Sequence, residues 1–121
     1  MSGLKKHPTT LIFVAFHDDH PCGIVTCFRG FSTFAAKPLI NISDFYVDPA
    51  IRGQGIGRML LNAVEDEARL TDCCKLTLEV QQHNLRARSV YAQFGFGQAV
   101  YAADADSGGS LYMVKSIEHV N

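Results

Sequence analysis

The sequence has little net charge and no long run of apolar residues. Among its 121 residues, 11 are lysine or arginine and 12 are aspartate or glutamate, so the formal net charge is −1. This balance excludes the sequence-wide basic field that is typical of nucleic-acid-binding proteins. No apolar segment approaches the roughly 20 residues that a membrane-spanning helix needs. We therefore expect no nucleic-acid partner and no membrane association.

Cysteine is also scarce, and its distribution is not that of a metal site. The four cysteines are Cys22, Cys27, Cys73 and Cys74. Their spacing fits no zinc pattern, and a bridge between the adjacent Cys73 and Cys74 would be strained. We expect reduced, mostly buried thiols and no metal. The polar segment His17–Cys22 is better interpreted as a hairpin turn than as a ligand cluster, because no second group of ligands exists in the sequence.

No signal peptide is recognisable at the start of the chain. The apolar run Leu11–Phe16 is short and is followed by two aspartates. This pattern predicts a cytoplasmic protein. Apolar residues make up 47% of the sequence and charged residues 19%, which is a globular composition. At this length, residues 1–121 are predicted to form a single domain.

The hydrophobic pattern predicts strands and helices in alternation. The predicted strands are Leu11–Phe16, Cys22–Phe28, Leu39–Val47, Leu76–Val80, Phe96–Ala103 and Leu111–Ile117. Arg29–Pro38 is interpreted as a loop. An amphipathic helix is predicted over Ile56–Thr71, and a second helix between an Asn84 cap and a left-handed Gly95. The strand–helix–strand order around the first helix predicts a right-handed crossover and a parallel pair.

The segment Arg52–Arg58 carries the clearest chemical signal. Its three glycines leave bare backbone N–H groups at the start of the first predicted helix, where the helix dipole favours negative charge. Arg52 and Arg58 bracket the loop with positive charge. A tight turn alone would need fewer glycines and would leave both arginines unexplained. The natural occupant is a pyrophosphate, so we expect a nucleotide-like cofactor.

Two common phosphate-binding loops do not fit this segment. A Walker A loop requires lysine and serine or threonine after its last glycine, but Arg58 and Met59 follow Gly57. A dinucleotide fingerprint requires a third glycine where this chain has Arg58 or Leu60. Glu79 does stand at roughly the distance of a ribose-binding acid. A nicotinamide enzyme therefore remains a weaker alternative.

The pattern Arg-x-x-Gly-x-Gly, from Arg52 to Gly57, resembles motif A of the GNAT superfamily of N-acetyltransferases, which bind acetyl-coenzyme A. Asp44–Pro49 looks like the family's fourth strand. Asn84, Ala87, Tyr91 and Gly95-Phe96 match the family's downstream motif. The resemblance covers about residues 39–97. It implies an α/β fold, a GNAT-type three-layer α/β/α sandwich with a mixed, mostly antiparallel twisted sheet.

The resemblance also implies how the cofactor is held. The backbone of Gln54–Arg58 would cradle the pyrophosphate, and Arg52 would add charge. The fourth strand would splay from the fifth and offer unpaired backbone groups to the pantetheine amides, with one N–H polarising the thioester carbonyl. That strand could instead be plain core. The implied cofactor-binding residues are Phe45, Tyr46, Val47, Arg52, Gly53, Gln54, Gly55, Ile56, Gly57, Arg58, Asn84 and Tyr91.

The implied catalytic residues are Tyr91, Glu79 and Asp44. Tyr91 falls on the position that donates a proton to the departing thiolate. Without the resemblance it would be interpreted as a buried tyrosine bonded to a neighbour. Glu79 and Asp44 are alternative general bases, although either could be a solvated charge, and His83 is a weaker candidate. Asn84 can serve as a helix cap, as a cleft residue, or as both.

One feature departs from the family pattern. Only Met1–Thr10 precede the first predicted strand, too few for the strand and two helices with which the family usually opens. Those helices form much of the acceptor wall, so we expect an exposed cleft edge that is covered in a homodimer. The leading hypothesis is transfer of an acetyl group from acetyl-coenzyme A to a primary amine by direct attack in a ternary complex. The alternative is a coenzyme A-binding sensor or interaction module with weak or no activity.

Overall fold

The computed structural model describes residues 9–98 and 109–118, and the elements of this part follow the predicted order. The strands are β1 (Thr10–His17), β2 (His20–Ser32), β3 (Lys37–Val47), β4 (Lys75–Gln81), β5 (Gly97–Gln98) and β6 (Ser110–Ser116). The helices are α1 (Ile56–Leu70) and α2 (Leu85–Phe94), and a 3₁₀ turn covers Pro49–Ile51. Residues 99–103 of the predicted fifth strand lie outside the described residues.

The strands form one sheet in the order β1-β2-β3-β4-β6-β5. The β3–β4 pair is parallel and every other pair is antiparallel. The sequence predicted a parallel pair on either side of the first helix, and the β3–β4 pair, which is connected through α1, confirms it. The α/β class and the mixed, mostly antiparallel sheet are likewise as predicted.

The loop predicted over Arg29–Pro38 is wrong, because the β2–β3 hairpin extends through most of it. β2 continues to Ser32, where it pairs with Lys37, and only four residues form the turn. Glycine and proline are uncommon inside strands, yet Gly30 and Pro38 both lie within the ladder. The cross-strand hydrogen bonds of a long hairpin outweigh these local preferences.

The predicted turn between β1 and β2 is confirmed. His17 pairs with His20 across a two-residue connection. The connecting residues Asp18 and Asp19 have φ angles of 51° and 67°, the left-handed backbone that a tight hairpin turn requires and that aspartate tolerates. The predicted burial of most of the cysteines is also confirmed. All four are free thiols, and Cys74 alone among them is not fully buried.

Both helices pack against the same face of the sheet. The ring of Phe45 in β3 lies against α1 at Gly57, and its centroid is 5.7 Å from that of Tyr91 in α2. Lys115 of β6 forms an ion pair of 2.6 Å with Glu65 of α1. The described residues therefore supply the sheet and one helical layer of the predicted three-layer sandwich.

The core lies between this helical layer and the sheet. Its fully buried side chains include Val25, Ile40, Leu61, Val64, Leu76 and Leu78. The opposite face of β1 and β2 is apolar and open in the described residues: Ile12 is 58% exposed, Phe16 61% and Phe28 46%. No helix within residues 9–98 and 109–118 combines the length and apolar character needed to cross a bilayer.

Candidate active site

The parallel strands β3 and β4 separate soon after they meet. Their pairing is limited to Ile40–Ile42 with Leu76–Leu78. Beyond this point β3 continues to Val47 and β4 continues to Gln81 without pairing to each other. We call the point of separation the fork. It is the splay that the family resemblance implies.

A β-bulge in β3 accounts for the fork. Thr26 of β2 is opposite Asp44, whereas the next residue, Cys27, is opposite Ile42. Ser43 is therefore an extra residue in β3, and its hydroxyl donates a hydrogen bond of 3.0 Å to the carbonyl of Thr26. A bulge of this kind bends its strand and increases its twist. β3 thus turns away from β4 just beyond their last paired positions.

A groove of about 830 Å³ opens between the separated strands. It collects most of the residues predicted from the sequence. Those that line it are Asp44, Phe45, Tyr46, Val47, Arg52, Gly53, Ile56, Gly57, Glu79, Asn84 and Tyr91. Gln54, Gly55 and Arg58 belong to the adjoining loop and first helical turn but do not line the groove. The weaker candidate, His83, does not line it either.

The glycines at the start of α1 have two different structural roles. Gly53 and Gly55 have φ angles of 87° and 84°, which favour glycine, and a Cβ at either would meet no atom of the described residues within 4 Å. As far as residues 9–98 and 109–118 are concerned, the space in front of this loop is therefore open to a ligand. Gly57 differs, because a Cβ there would lie 3.1 Å from the Phe45 ring. It lets α1 pack closely against β3.

The N-terminus of α1 is suited to an anion. Its N-cap is Gly55, which has no side chain to form a cap, and its first turn contains no acidic residue. The first backbone N–H groups and the positive end of the dipole are then available to a ligand. Arg52 is held beside them, since its Nε donates a 3.0 Å hydrogen bond to the Val47 carbonyl.

A second arginine, Arg86, also lines the groove and was missed from the sequence. It lies in the first turn of α2, two positions after the N-cap Asn84. Because β3 and β4 are parallel, the helices that follow them begin at the same edge of the sheet. Proximity of Arg86 to Arg52 could have been inferred from that connectivity.

Tyr91 is nine-tenths buried and borders the groove. It is 7% exposed, and its ring packs against Phe45 and Phe96. Within residues 9–98 and 109–118 its hydroxyl forms no hydrogen bond, so the neighbour required by the alternative interpretation is not found there. Since no buried side-chain oxygen or nitrogen of the described residues lacks a partner, the hydroxyl itself is accessible from the groove. Burial raises the pKa of Tyr91 to about 12. The phenol is therefore protonated at neutral pH, as a proton donor must be.

Asn84 does act as the predicted cap. Its side-chain oxygen accepts a hydrogen bond of 3.1 Å from the backbone N–H of Ala87. The same residue lines the groove. Both interpretations of Asn84 are thus compatible with its position.

Asp44 and Glu79 lie on the sheet face opposite the helices. Phe45 points toward the helices, so its neighbour Asp44 points away from them. Glu79 alternates in the same way with the buried Leu78 and Val80. Both carboxylates are exposed, and neither forms an ion pair with another described residue.

Comparison with known proteins identifies the family of this chain. Residues 3–96 match the Acetyltransferase (GNAT) family. Streptothricin acetyltransferase of Streptomyces lavendulae is 36% identical over 107 residues, covering 84% of this chain and 55% of that protein. The N-acetyltransferase YhfO of Bacillus subtilis is 32% identical over 93 residues, covering 77% of this chain and 62% of that protein. The chain thus spans little more than half the length of these relatives.

A solved structure shares the fold. Arabidopsis thaliana Naa50, in complex with the bisubstrate analogue CoA-Ac-MVNAL, superimposes with a TM-score of 0.73 at 27% identity. The match covers 87% of this chain and 72% of that one. The chain belongs to the acetyltransferase (GNAT) family.

Proposed function

We propose that this protein transfers an acetyl group from acetyl-coenzyme A to a primary amine. The observation that carries the proposal is the groove at the fork. It joins the N-terminus of α1, an unpaired strand edge and the side chain of Tyr91 in one continuous space. Family membership supports the same reaction.

The residues at one end of the groove suit the diphosphate of the cosubstrate. The N–H groups of Gln54–Arg58 would bind it, with charge from Arg52 and Arg86. The open space at Gly53 and Gly55 is compatible with close approach of a ligand to the backbone. The chemistry that acetyl-coenzyme A supplies is its activated thioester.

The strand edge of β3 suits the extended arm of the same molecule. Phe45–Val47 pair with β2 on one side, and their other side faces the groove rather than β4. Backbone N–H and C=O groups there would pair with amides of the arm. One N–H directed at the thioester carbonyl would stabilise the oxyanion, a contribution typically worth a few kcal/mol.

The reaction is direct attack in a ternary complex. The nitrogen of the amine bonds to the acyl carbon and its proton passes to Glu79 or Asp44, directly or through water. Tyr91 donates its proton to the sulfur that leaves. None of the four cysteines lines the groove, and the Ser43 hydroxyl is bonded to the Thr26 carbonyl. A covalent acyl-enzyme is therefore not part of the proposal.

The test combines binding with turnover. Titration calorimetry with coenzyme A measures binding, and mass spectrometry detects acetylated product from a panel of amines. Binding and product together are the expected result. Binding without product from any amine would favour a sensor or interaction module, and the absence of binding would contradict the whole proposal.

We propose that residues 1–121 form one cytoplasmic domain that assembles as a homodimer. The exposed apolar face of β1 and β2 supports association, because large apolar patches on monomers are uncommon. Light scattering that gives a monomer mass at micromolar concentration would contradict the dimer.

A further inference from the structure

The closed end of the groove coincides with the last pair of β3 and β4. Within these strands, the residues that line the groove begin at Ser43 and at Glu79. Each of them directly follows one of the last paired positions, Ile42 and Leu78. The extent of this parallel ladder therefore fixes where the groove ends. If the ladder lost its last pair, the groove would become longer by about 3.3 Å, the rise of one strand residue.

Asn41 links the two strands immediately behind this last pair. Asn41 and Thr77 are opposite each other in the ladder. The Nδ2 of Asn41 donates a hydrogen bond of 2.8 Å to the Thr77 hydroxyl and one of 3.4 Å to the Thr77 carbonyl. An amide nitrogen carries two donors, so one asparagine can make both bonds. We call this link the Asn41–Thr77 bridge.

The bridge lies on the sheet face away from the helices. Ile40 and Ile42 face the core, so the side chain of Asn41 between them projects to the other side. Thr77 is nevertheless only 2% exposed. Its hydroxyl has no other hydrogen-bond partner among the described residues. Because a buried hydroxyl without a partner is costly, the bridge stabilises the pairing of β3 with β4.

The parallel ladder needs this support because it is short. It contains three paired positions, and parallel pairing is slightly less stable per residue than antiparallel pairing. The bulge at Ser43 also bends β3 away from β4 directly beyond the ladder. Without the bridge, the pair formed by Ile42 and Leu78 should therefore separate more readily.

We infer that the Asn41–Thr77 bridge limits the length of the acyl group that the groove accepts. This inference rests on the proposed transferase function. With the diphosphate at the start of α1 and the arm along Phe45–Val47, the thioester lies nearest the closed end of the groove. An acyl chain longer than acetyl would then meet Ile42 and Leu78. Asn41 does not line the groove, so it is a positioning residue that acts through this pair.

The test compares acetyl-coenzyme A with butanoyl-coenzyme A, using an amine that the panel identifies as an acceptor. Butanoyl is longer by two carbon–carbon bonds of about 1.5 Å each, which together span less than the rise of one strand residue. We expect wild-type kcat/KM to be at least about tenfold higher for the acetyl compound, because a closed pocket excludes extra methylene groups. In Asn41→Ala this ratio should fall to about threefold or less. A wild-type protein that uses both compounds equally, or a variant that keeps the full ratio, would overturn the inference and leave the transferase function intact.

Two further variants separate the bridge from general stability. The double variant Asn41→Leu, Thr77→Val removes the bridge without leaving a buried hydroxyl unpaired, so it should fold and still show the reduced ratio. Ser32→Ala is the matched control. Ser32 is also a buried polar residue of the sheet, its hydroxyl accepts a hydrogen bond of 3.2 Å from the Ala35 N–H, and it lies outside the groove. The control should lose stability and keep the wild-type ratio. A reduced ratio in the control, or a full ratio in the double variant, would overturn the inference.

A binding measurement distinguishes failure of the inference from failure of the function. In calorimetry with the full chain, the wild-type Kd for acetyl-coenzyme A should be at least about tenfold lower than for butanoyl-coenzyme A, and the two values should become similar in Asn41→Ala. Equal wild-type values would overturn the inference even if acetyl transfer occurs. If the selectivity is observed but neither compound gives product with any amine, the transferase proposal is refuted and the limit on acyl length stands. If neither compound binds, both are refuted.

Discussion

Replacement of Tyr91 by phenylalanine should separate catalysis from stability. The change removes one hydroxyl and keeps the ring that packs against Phe45 and Phe96. Because that hydroxyl has no partner among the described residues, its loss leaves no donor or acceptor unsatisfied. The free energy of unfolding should therefore change by less than about 0.5 kcal/mol.

The effect on turnover should be far larger. A positioned general acid contributes about 100- to 10,000-fold to a rate, which corresponds to about 3–5 kcal/mol of transition-state stabilisation. We expect kcat to fall within this range in the Tyr91→Phe variant. The Kd for coenzyme A should stay within about twofold of the wild-type value, since the ring remains in place.

The assay is the initial rate of coenzyme A release at saturating concentrations of both substrates. Ser89→Ala is the matched control, because it removes a hydroxyl from an exposed position of the same helix. Since the pKa of Tyr91 is raised to about 12, its deprotonation should not reduce wild-type kcat between pH 8 and 10. A kcat within twofold of wild type in the variant would refute the proton-donor role.

Three further substitutions test the groove and its support. Gly55→Ala places a Cβ at a left-handed φ and should cost about 1–2 kcal/mol in urea unfolding; unchanged stability would contradict the backbone argument. Arg52→Gln should weaken coenzyme A binding in calorimetry, more at low salt than at high salt; an effect independent of salt would exclude a charge contribution. Burial opposes ionisation of Glu65, but hydrogen bonds from Lys115 and Arg69 outweigh it and hold the pKa of Glu65 below its usual value. That stabilisation is present above pH 4.5 and is lost as the pH falls through the lowered pKa. Lys115→Met should reduce stability at pH 7 by about 1–3 kcal/mol and flatten the loss in acid; an unchanged acid profile would contradict the pairing.

The features that could be predicted from the sequence are those set by neighbouring residues. The ends of α2 follow from Asn84 as a cap and Gly95 as a left-handed terminator. The parallel pair follows from the length of the crossover between β3 and β4. The glycine loop before α1 follows from its own composition and its position at a helix start.

The features that were missed depend on pairing between distant segments. The strand residues at Gly30 and Pro38 are held by hydrogen bonds across the hairpin, which local preferences do not reveal. The bulge at Ser43 is a property of register, since it exists only relative to Thr26 and Cys27. Arg86 joins the groove because two helices begin at one sheet edge. Each of these requires knowledge of which strands are neighbours.

The bulge at Ser43 gives the sheet a hydrogen-bonding edge in its interior. The outer edge of a sheet tends to recruit other chains and to promote aggregation. The interior edge of β3 is flanked by β4 and by the helices, so only a slender molecule can reach it. A ligand with amides along a flexible arm can pair there as an added strand would. Such recognition involves main-chain atoms, so the exposed side chain of Tyr46 can change while the contact persists, whereas Phe45 and Val47 are constrained by their packing.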